Sequence, residues 1–329
     1  MPVSITLGKY NLDLVTASED LTIPVLDGVP SMQQITVQMQ QALSRTLQLK
    51  TGVLVIGPKG AGKSTSLDRA IRAHREGEQQ LVAKMPGEYR ERRVLRAHGL
   101  NSKTGRELLI SLLKEVSPGL RDRSLGMRKS DDDLRAELVS ALLNKNYSAV
   151  VFDEAEYLND RAVDQLRKVM ADAAERDTRR VVVENGREEY RAAGIGVLLV
   201  GTKAVLEVVR RDADAGHRWS EVVELETLAP DMVADCYTEI FPAFRAHVDD
   251  VGLAAWREFC ANQVAVGRRL TVDKVVLHAR RYYDAYLSSD LAEALPSVAR
   301  EHIPFNRVLF LYALDNGELT KSTPAKGKA

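Results

Sequence analysis

The sequence has 329 residues, of which 45% are apolar and 28% are charged, a usage typical of globular proteins. This length predicts about two compact units with a sizeable core and excludes a disulfide-stapled miniprotein. Lysine and arginine together number 46, as do aspartate and glutamate, so the net charge is zero and any nucleic-acid-binding surface must be local.

The sequence lacks the usual signals of membrane insertion or secretion. Its longest apolar run, Val308 to Leu314, is far shorter than the roughly 18 residues of a membrane-spanning helix. The N-terminal stretch does not have the basic, apolar and small-residue order of a secretory signal. Cys236 and Cys260 have no CxxC spacing and predict neither a disulfide framework nor a zinc site. We therefore expect a cytoplasmic protein with no membrane partner.

Strands and helices alternate through the first two thirds of the chain. After an extended lead-in, a helix is predicted from Ser31, a candidate N-cap, to about residue 49. Short aliphatic runs then predict strands at residues 52–56, 81–85, 149–152 and 196–200. Helices are predicted between them at residues 63–74, 107–116, 134–143 and 161–176. Beyond Pro230 the pattern is helical, with segments at residues 231–240, 252–263 and 270–287.

This alternation predicts an α/β domain in which helices cover both faces of a parallel sheet, followed by a small all-α lid domain. We expect an extended N-terminal segment at residues 1–30 and the α/β domain at residues 31–229. The helical lid and a C-terminal segment would occupy residues 230–319, and the polar, basic residues 320–329 predict a disordered tail. Ligands of such sheets bind at the carboxyl ends of the strands.

A glycine-rich segment between the first strand and its helix has the GxxxxGK[ST] pattern of a phosphate-binding loop. Gly57, Gly60 and Gly62 would let backbone N–H groups surround the phosphates, and the helix N-terminus adds partial positive charge. Lys63 would reach the β- and γ-phosphates of ATP. Ser64 would help to hold Mg²⁺, and Thr65 would add a phosphate contact. The alternative interpretation is an ordinary glycine-rich turn.

A second acidic motif ends the strand predicted at residues 149–152. Asp153 would lie in the Mg²⁺ shell if this strand were adjacent to the phosphate-binding loop, and Glu154 would polarise the attacking water. The alternative is that both carboxylates cap the N-terminus of the helix predicted near Arg161. Glu156 is interpreted as a solvent-facing neighbour.

With these two motifs the chain resembles AAA+ ATPases over about residues 30 to 290. The resemblance implies that Thr202, after the strand 196–200, is a sensor 1 residue. It also implies an arginine finger that reaches a neighbouring subunit, for which Arg218 is the best match and Arg210 and Arg211 are rivals. A sensor 2 arginine would be either Arg268 or Arg269. For each arginine the alternative is a solvated helix charge.

Within that superfamily the motifs DEAEYL and GVLLVGT resemble the initiator-like clade, and most closely transposon target-choice regulators of the TnsC, TniB and MuB kinds. Residues 291–329 are too few for the winged helix of origin-binding initiators. Residues 1–30 are too few for the N-terminal domain of the MuB kind.

That resemblance implies an ATP- and Mg²⁺-dependent homo-oligomer, a ring or a helical filament. It would assemble on duplex DNA without sequence preference, bind a transposase and a target-selection protein, and disassemble on hydrolysis. The alternatives are a replication initiator or helicase loader, and a nucleotide-gated signalling scaffold without DNA.

A basic segment at residues 84–106 is the candidate DNA-binding surface. It holds seven basic residues against two acidic ones and follows the strand predicted at residues 81–85. Phosphate contacts are expected from Arg92, Arg93, Arg96, Lys103 and Thr104. The alternative is a solvated basic face. A separate Asn-Gly pair, Asn185-Gly186, predicts a two-residue β-hairpin before the sensor 1 strand that would line an oligomer's channel or contact a protein.

Overall fold

The computed structural model describes a large part of the chain, with gaps. The described residues are 30–98, 104–119, 129–177, 181–182, 188–189, 194–211, 219–225, 230–246, 271–287, 305–306, 309–310 and 313. They fall in two compact units, one spanning Gln34–Thr227 and the other including the helices that follow Leu228. None of the helices in these ranges has both the length and the apolar character needed to span a membrane.

The first unit is built on a sheet of five parallel strands. The strands are β1 (Gly52–Ile56), β2 (Arg93–His98), β3 (Tyr147–Asp153), β6 (Gly196–Gly201) and β7 (Trp219–Glu224). Their order across the sheet is β2-β3-β6-β1-β7. Strand β6 pairs with both β1 and β3 and lies between them, so one strand separates the phosphate-binding loop after β1 from the acidic end of β3. Strands β1 and β6 are buried along their whole length, as continuous aliphatic sequences predict.

Six helices accompany this sheet in the described residues. They are α1 (Pro30–Leu49), α2 (Lys63–Lys84), α3 (Gly105–Val116), α4 (Asp131–Asn144), α5 (Asp160–Arg176) and α6 (Ala204–Arg211). Helix α5 buries the five apolar side chains that the sequence predicts for its inner face, Val163, Leu166, Val169, Met170 and Ala173. Helix α1 begins one residue earlier than expected, at Pro30, so Ser31 lies inside the helix and its predicted N-cap role is wrong.

The second strand is not where the sequence predicts it. Residues 81–84 continue α2, and Val82 in the last turns of that helix is exposed. Strand β2 instead lies at Arg93–His98, inside the basic segment. Its apolar positions Leu95 and Ala97 are buried, whereas Arg96 between them is partly exposed and pairs with Asp68 and Asp153. Alternation along a sheet strand explains the pattern, because successive side chains face opposite sides.

Two short strands, β4 (Val181–Val182) and β5 (Glu188–Glu189), pair antiparallel, as the predicted hairpin requires. Their register pairs Val181 with Glu189, one residue away from the register of a two-residue Asn185-Gly186 turn. The turn itself, residues 183–187, lies outside the described residues.

The second unit contains helices α7 (Pro230–Ile240) and α8 (Val272–Leu287) and a 3₁₀ turn at Pro242–Ala246. These helices agree with the predicted segments 231–240 and 270–287, and residues 252–263 are outside the described residues. An aromatic core holds this unit together. Its ring centroids lie 4.9 to 6.2 Å apart, and its members include Tyr237, Phe241, Phe244, Tyr282 and Phe310.

Candidate nucleotide-binding site

The phosphate-binding loop leaves the carboxyl end of β1 and leads directly into α2. Gly60 and Gly62 have φ angles of +78° and +80°, and Gly62 precedes the first helical residue. Other residues rarely adopt this left-handed backbone, so these glycines allow the turn. Lys63 donates hydrogen bonds through Nζ to the carbonyls of Gly57 (3.1 Å) and Pro58 (2.8 Å). The ammonium therefore lies in the loop that the sequence assigns to phosphates.

The loop is tied to the neighbouring strand end. The backbone N–H of Gly57 donates to the carbonyl of Gly201, the last residue of β6, across 3.0 Å. Ser64 and Thr65 lie exposed in the first turn of α2, which contains no acidic side chain. That turn therefore offers hydroxyls and backbone N–H groups without a competing negative charge.

Asp153, the last residue of β3, is a buried carboxylate with a donor at each oxygen. Its Oδ1 accepts the backbone N–H of Glu154 at 3.0 Å, and its Oδ2 lies 3.0 Å from Nη2 of Arg96. Arg96 also bonds through Nη1 to Asp68 on α2. The basic segment predicts a DNA contact for Arg96, whereas the structure pairs Arg96 with two carboxylates, for which a strand position inside a basic segment gives no signal.

Glu154 is exposed at the same strand end and has a left-handed backbone, with φ +55° and ψ +41°. Such conformations cost about 1–3 kcal/mol in non-glycine residues and concentrate at functional sites. The alternative of a helix cap is wrong for α5, whose N-cap is Asn159, with its side chain accepting from the N–H of Ala162 at 2.8 Å. Glu154 itself makes no side-chain cap bond.

Glu156 is a second residue that the sequence analysis misjudged. It was expected to face solvent, but its Oε2 accepts the backbone N–H of Thr202 at 3.2 Å. A Cβ at Gly201 would clash with the same oxygen and with a methyl of Val205, so a larger residue there would displace the Glu156 side chain. Glu156 therefore fixes the start of the segment that carries the predicted sensor 1 residue.

The remaining residues of the predicted DNA-binding set have different environments. Arg92 is held by buried Glu78, with Nη2 and Nε of Arg92 at 2.6 and 3.0 Å from Oε1. The Tyr89 hydroxyl and the Arg92 backbone N–H each donate to Oε2 of Glu78 at 2.7 Å. Arg93 is exposed and lies 3.8 Å from a carboxylate oxygen of Glu91. The positive charge of the segment is therefore partly neutralised by carboxylates from α2 and β3.

Thr104 is the N-cap of α3 and forms a capping box with Glu107, so its hydroxyl accepts the N–H of Glu107. Lys103 lies outside the described residues, as do Arg218, Arg268 and Arg269. Of the two rival arginine fingers, Arg210 is exposed at the end of α6, and Arg211 lies 3.7 Å from Asp160. The ion pair of Arg211 is therefore with a residue of α5 and not with Asp153 or Glu154.

The side chains that converge here fit a Mg²⁺-nucleotide. The donors on offer for the metal are carboxylate and hydroxyl oxygens, Asp153 and Ser64, which match the preference of Mg²⁺. The ammonium of Lys63 and the glycine-rich turn before α2 match a phosphate chain. Because β1, β6 and β3 are neighbours in one parallel sheet, their carboxyl ends bring Lys63, Thr202, Asp153 and Glu154 to one edge.

Comparisons with known proteins agree with this arrangement. A family model described as the AAA domain matches residues 45–209, half of the chain. ORC2 of Aeropyrum pernix in its ADP form is 14% identical, with a TM-score of 0.54, and 91% of this chain and 72% of that chain are covered. The Drosophila ORC bound to DNA is 15% identical, with a TM-score of 0.55 and coverage of 98% and 70%.

The Cdc6p of Pyrobaculum aerophilum is 13% identical, with a TM-score of 0.52 and coverage of 82% and 65%. Comparison with curated protein sequences gave no significant match. At these identities the likeness concerns the fold alone. It confirms the predicted fold class, an AAA+ parallel sheet with helices.

Proposed function

We propose that this chain, which belongs to the AAA domain family, is a Mg²⁺-dependent ATPase of the replication-initiator kind whose ATP-bound form assembles on duplex DNA. One observation carries the proposal. The phosphate-binding loop, Asp153, Glu154 and Thr202 meet at the carboxyl edge of β1, β6 and β3. An ATP site in this fold needs a phosphate cradle, a metal-binding carboxylate and a base at one place.

The roles of the side chains follow from their positions. Lys63 and the loop N–H groups hold the phosphates, while Asp153 and Ser64 hold Mg²⁺, which when bound offsets the negative charge on the phosphates. Glu154, exposed beside Asp153, takes a proton from the attacking water. The water oxygen bonds to the γ-phosphorus as the bond to the β,γ-bridging oxygen breaks, giving ADP and phosphate. Thr202 orients the water or the γ-phosphate.

The replication-initiator kind is preferred over transposon target choice because the structural neighbours named above are ORC and Cdc6 proteins. One of them is described as bound to DNA, which supports DNA as the partner. The transposase and target-selection partners, and the ring or filament, stay predictions from the sequence resemblance. Among the described residues of the predicted DNA-binding set, Arg93 is exposed, and its guanidinium lies 3.8 Å from the carboxylate of Glu91. It is therefore our first candidate for a phosphate contact.

The nucleotide part of the proposal is tested by the affinity of a fluorescent ATP analogue, compared between the wild-type protein, Lys63→Ala and Lys114→Ala. Lys114 is an exposed lysine in the last turn of α3 and serves as the matched control. We expect Lys63→Ala to lose at least roughly tenfold in affinity, the scale of one charge-assisted contact, and Lys114→Ala to bind like the wild type. Equal binding by all three proteins would refute the nucleotide site.

The DNA part is tested by fluorescence anisotropy of a labelled duplex with no nucleotide, with ADP and with a slowly hydrolysed ATP analogue. We expect the tightest binding with the ATP analogue, together with larger particles in mass photometry. Arg93→Glu should weaken binding more than Arg75→Glu, which reverses an exposed charge on α2. Nucleotide binding without DNA binding in any state would leave an ATPase that acts on a protein partner. A pull-down that recovers a transposase instead of a helicase would favour the transposition reading.

A further inference from the structure

Arg96 connects two parts of the nucleotide site through one guanidinium group. It lies in the middle of β2, where its backbone partner on β3 is Val151. Its Nη2 lies 3.0 Å from Oδ2 of Asp153, and its Nη1 bonds to Asp68 on α2, the helix that starts at the phosphate-binding loop. The side chain therefore joins the metal-binding carboxylate to the phosphate-binding helix.

The charges of the two side chains explain this contact. Asp153 is 4% exposed, and an isolated buried carboxylate is strongly unfavourable unless a cation or hydrogen-bond donors compensate for it. Arg96, whose side chain is 25% exposed, supplies that positive charge, and the N–H of Glu154 supplies a second donor. The buried Nε of Arg96 has no acceptor among the residues that the structure describes, so the guanidinium is not fully engaged here.

Mg²⁺ would need the same carboxylate. It binds carboxylate oxygens at about 2.0–2.1 Å, and a guanidinium at 3.0 Å from that oxygen would repel it. We propose that Arg96 is a positioning residue that neutralises Asp153 when no metal is bound and exchanges with Mg²⁺ at that carboxylate when the nucleotide binds. This inference rests on the proposed nucleotide function, and it adds a built-in competitor that sets how strongly nucleotide affinity depends on Mg²⁺.

Removing Arg96 has two opposite consequences. Without Mg²⁺, the uncompensated carboxylate of Asp153 repels the phosphates, so the nucleotide binds more weakly. With Mg²⁺, no guanidinium competes for Asp153, so the metal-nucleotide complex binds as well as before or better. The ratio of the Kd in EDTA to the Kd in Mg²⁺ therefore rises, by roughly tenfold or more for the loss of the one positive charge of Arg96.

The experiment measures this ratio with fluorescently labelled ADP, so the readout is binding and not hydrolysis. The proteins are the full-length wild type, Arg96→Ala, Arg96→Lys and Asp153→Asn, together with the Arg96→Ala Asp153→Asn double variant. Arg75→Ala, which removes an exposed arginine from α2, is the matched control. Arg96→Lys retains a positive charge but cannot span both carboxylates, so it should raise the ratio less than Arg96→Ala.

The double variant separates charge compensation from a general structural effect. If Arg96 competes with Mg²⁺ at Asp153, its removal should no longer strengthen Mg²⁺-dependent binding once the carboxylate is gone, so the ratio should rise less than it does when Asp153 is present. A ratio in Arg96→Ala and Arg96→Lys equal to that of the wild type and Arg75→Ala would overturn the inference while leaving the nucleotide site intact. An unchanged effect of Arg96→Ala in the Asp153→Asn background would overturn it as well. If the folded wild type bound no nucleotide in either buffer, the proposed function itself would fail.

If Arg96→Ala does not fold, Arg96→Lys and Asp153→Asn still decide the question. The inference requires that Asp153→Asn lower the ratio below the wild-type value, since the metal loses its carboxylate and the phosphates lose a repelling charge. It also requires that Arg96→Lys raise it. A higher ratio in Asp153→Asn than in the wild type, or a lower one in Arg96→Lys, would contradict the exchange of Arg96 with Mg²⁺ at Asp153.

Discussion

Glu156 accepts the backbone N–H of Thr202 at a distance of 3.2 Å, and this hydrogen bond joins the ends of β3 and β6. Gly201 immediately precedes Thr202, and its carbonyl accepts the N–H of Gly57 at the start of the phosphate-binding loop. The backbone of Gly201 and Thr202 is therefore held by two hydrogen bonds, one to the phosphate-binding loop and one to the side chain of Glu156. The position of Thr202 relative to both motifs depends on Glu156.

Loss of this hydrogen bond should slow hydrolysis without preventing nucleotide binding. We expect Glu156→Ala to lower kcat by roughly ten- to hundredfold, because small displacements of catalytic groups have effects of this size. Gly201→Ala should act similarly, since its Cβ would overlap the Glu156 carboxylate. Steady-state ATPase rates and the affinity of a labelled nucleotide check both variants. Glu175→Ala, an exposed carboxylate on α5, is the control, and equal kcat in all proteins would contradict the positioning role.

Glu154→Gln should separate binding from hydrolysis. The amide cannot take a proton from water, and general-base catalysis typically contributes 10²- to 10⁴-fold, so we expect kcat to fall by about that factor. Nucleotide affinity should stay within a few fold of the wild type, because Lys63 and Asp153 are unchanged. Single-turnover hydrolysis and equilibrium binding give the two numbers. A variant that hydrolyses ATP at the wild-type rate would exclude Glu154 as the base.

The place of the two nucleotide motifs in the fold could be predicted from the sequence, for a local reason. A phosphate-binding loop needs glycines, a lysine and a hydroxyl within a short segment, and here the glycines follow β1 while Lys63 and Ser64 begin α2. Asp153 and Glu154 also follow a continuous apolar run, which predicts a buried strand. These signals are contained in short windows, so no tertiary information is needed to find them.

The contacts of Arg96 and Arg92 could not be predicted in the same way. The carboxylates that hold them, on α2 and β3, are 14 to 57 residues away in the sequence, so the net charge of residues 84–106 misrepresents the surface. The two arginines of β2, Arg93 and Arg96, interrupt its apolar residues, so that segment has no clear strand pattern, whereas the apolar pair Leu81-Val82 at the end of α2 resembled a strand. In both cases tertiary packing outweighed local pattern.

The cluster of Glu78, Arg92 and Tyr89 should stabilise the connection between α2 and β2. Replacing one member of a buried ion pair leaves the other charge uncompensated, which costs roughly 3–5 kcal/mol in buried sites and less here, because Arg92 is partly exposed. We expect Glu78→Gln to lower the thermal midpoint by several degrees, whereas Glu76→Gln, an exposed neighbour on α2, should not. Equal midpoints for the two variants would show that the cluster contributes little.

The same cluster predicts a pH dependence. Burial acts to raise the pKa of Glu78, but hydrogen bonds from Arg92 and Tyr89 outweigh it and hold the pKa below its usual value. A carboxyl with a lowered pKa in the folded state stabilises the protein above its unfolded pKa and loses that effect as the pH falls through the folded pKa. The stability difference between the wild type and Glu78→Gln should therefore shrink as the pH is lowered from about 5 toward 3. A stability difference that stayed constant over this pH range would contradict the conclusion that Glu78 is ionised in the folded protein.

His278 gives the helical C-terminal unit a pH dependence of its own. The imidazole is fully buried between the rings of Tyr237 and Phe310, at centroid distances of 5.4 and 4.9 Å. Burial lowers the pKa of His278 to about 3, with a smaller contribution from the nearby charge of Arg281. The folded unit therefore keeps the ring neutral at pH values where the unfolded chain, with a pKa of about 6.5, already binds a proton.

The sign follows from proton linkage. Between about pH 6.5 and 3 the unfolded state binds one more proton than the folded state at this site, so stability falls as the pH falls. We expect the thermal midpoint of the wild type, followed by near-ultraviolet circular dichroism of the aromatic core, to decrease from pH 7 to pH 5. His278→Phe keeps an aromatic ring in the cluster and removes the titrating group, so its midpoint should decrease less over the same range. Parallel decreases in the two proteins would mean that His278 is not the group responsible.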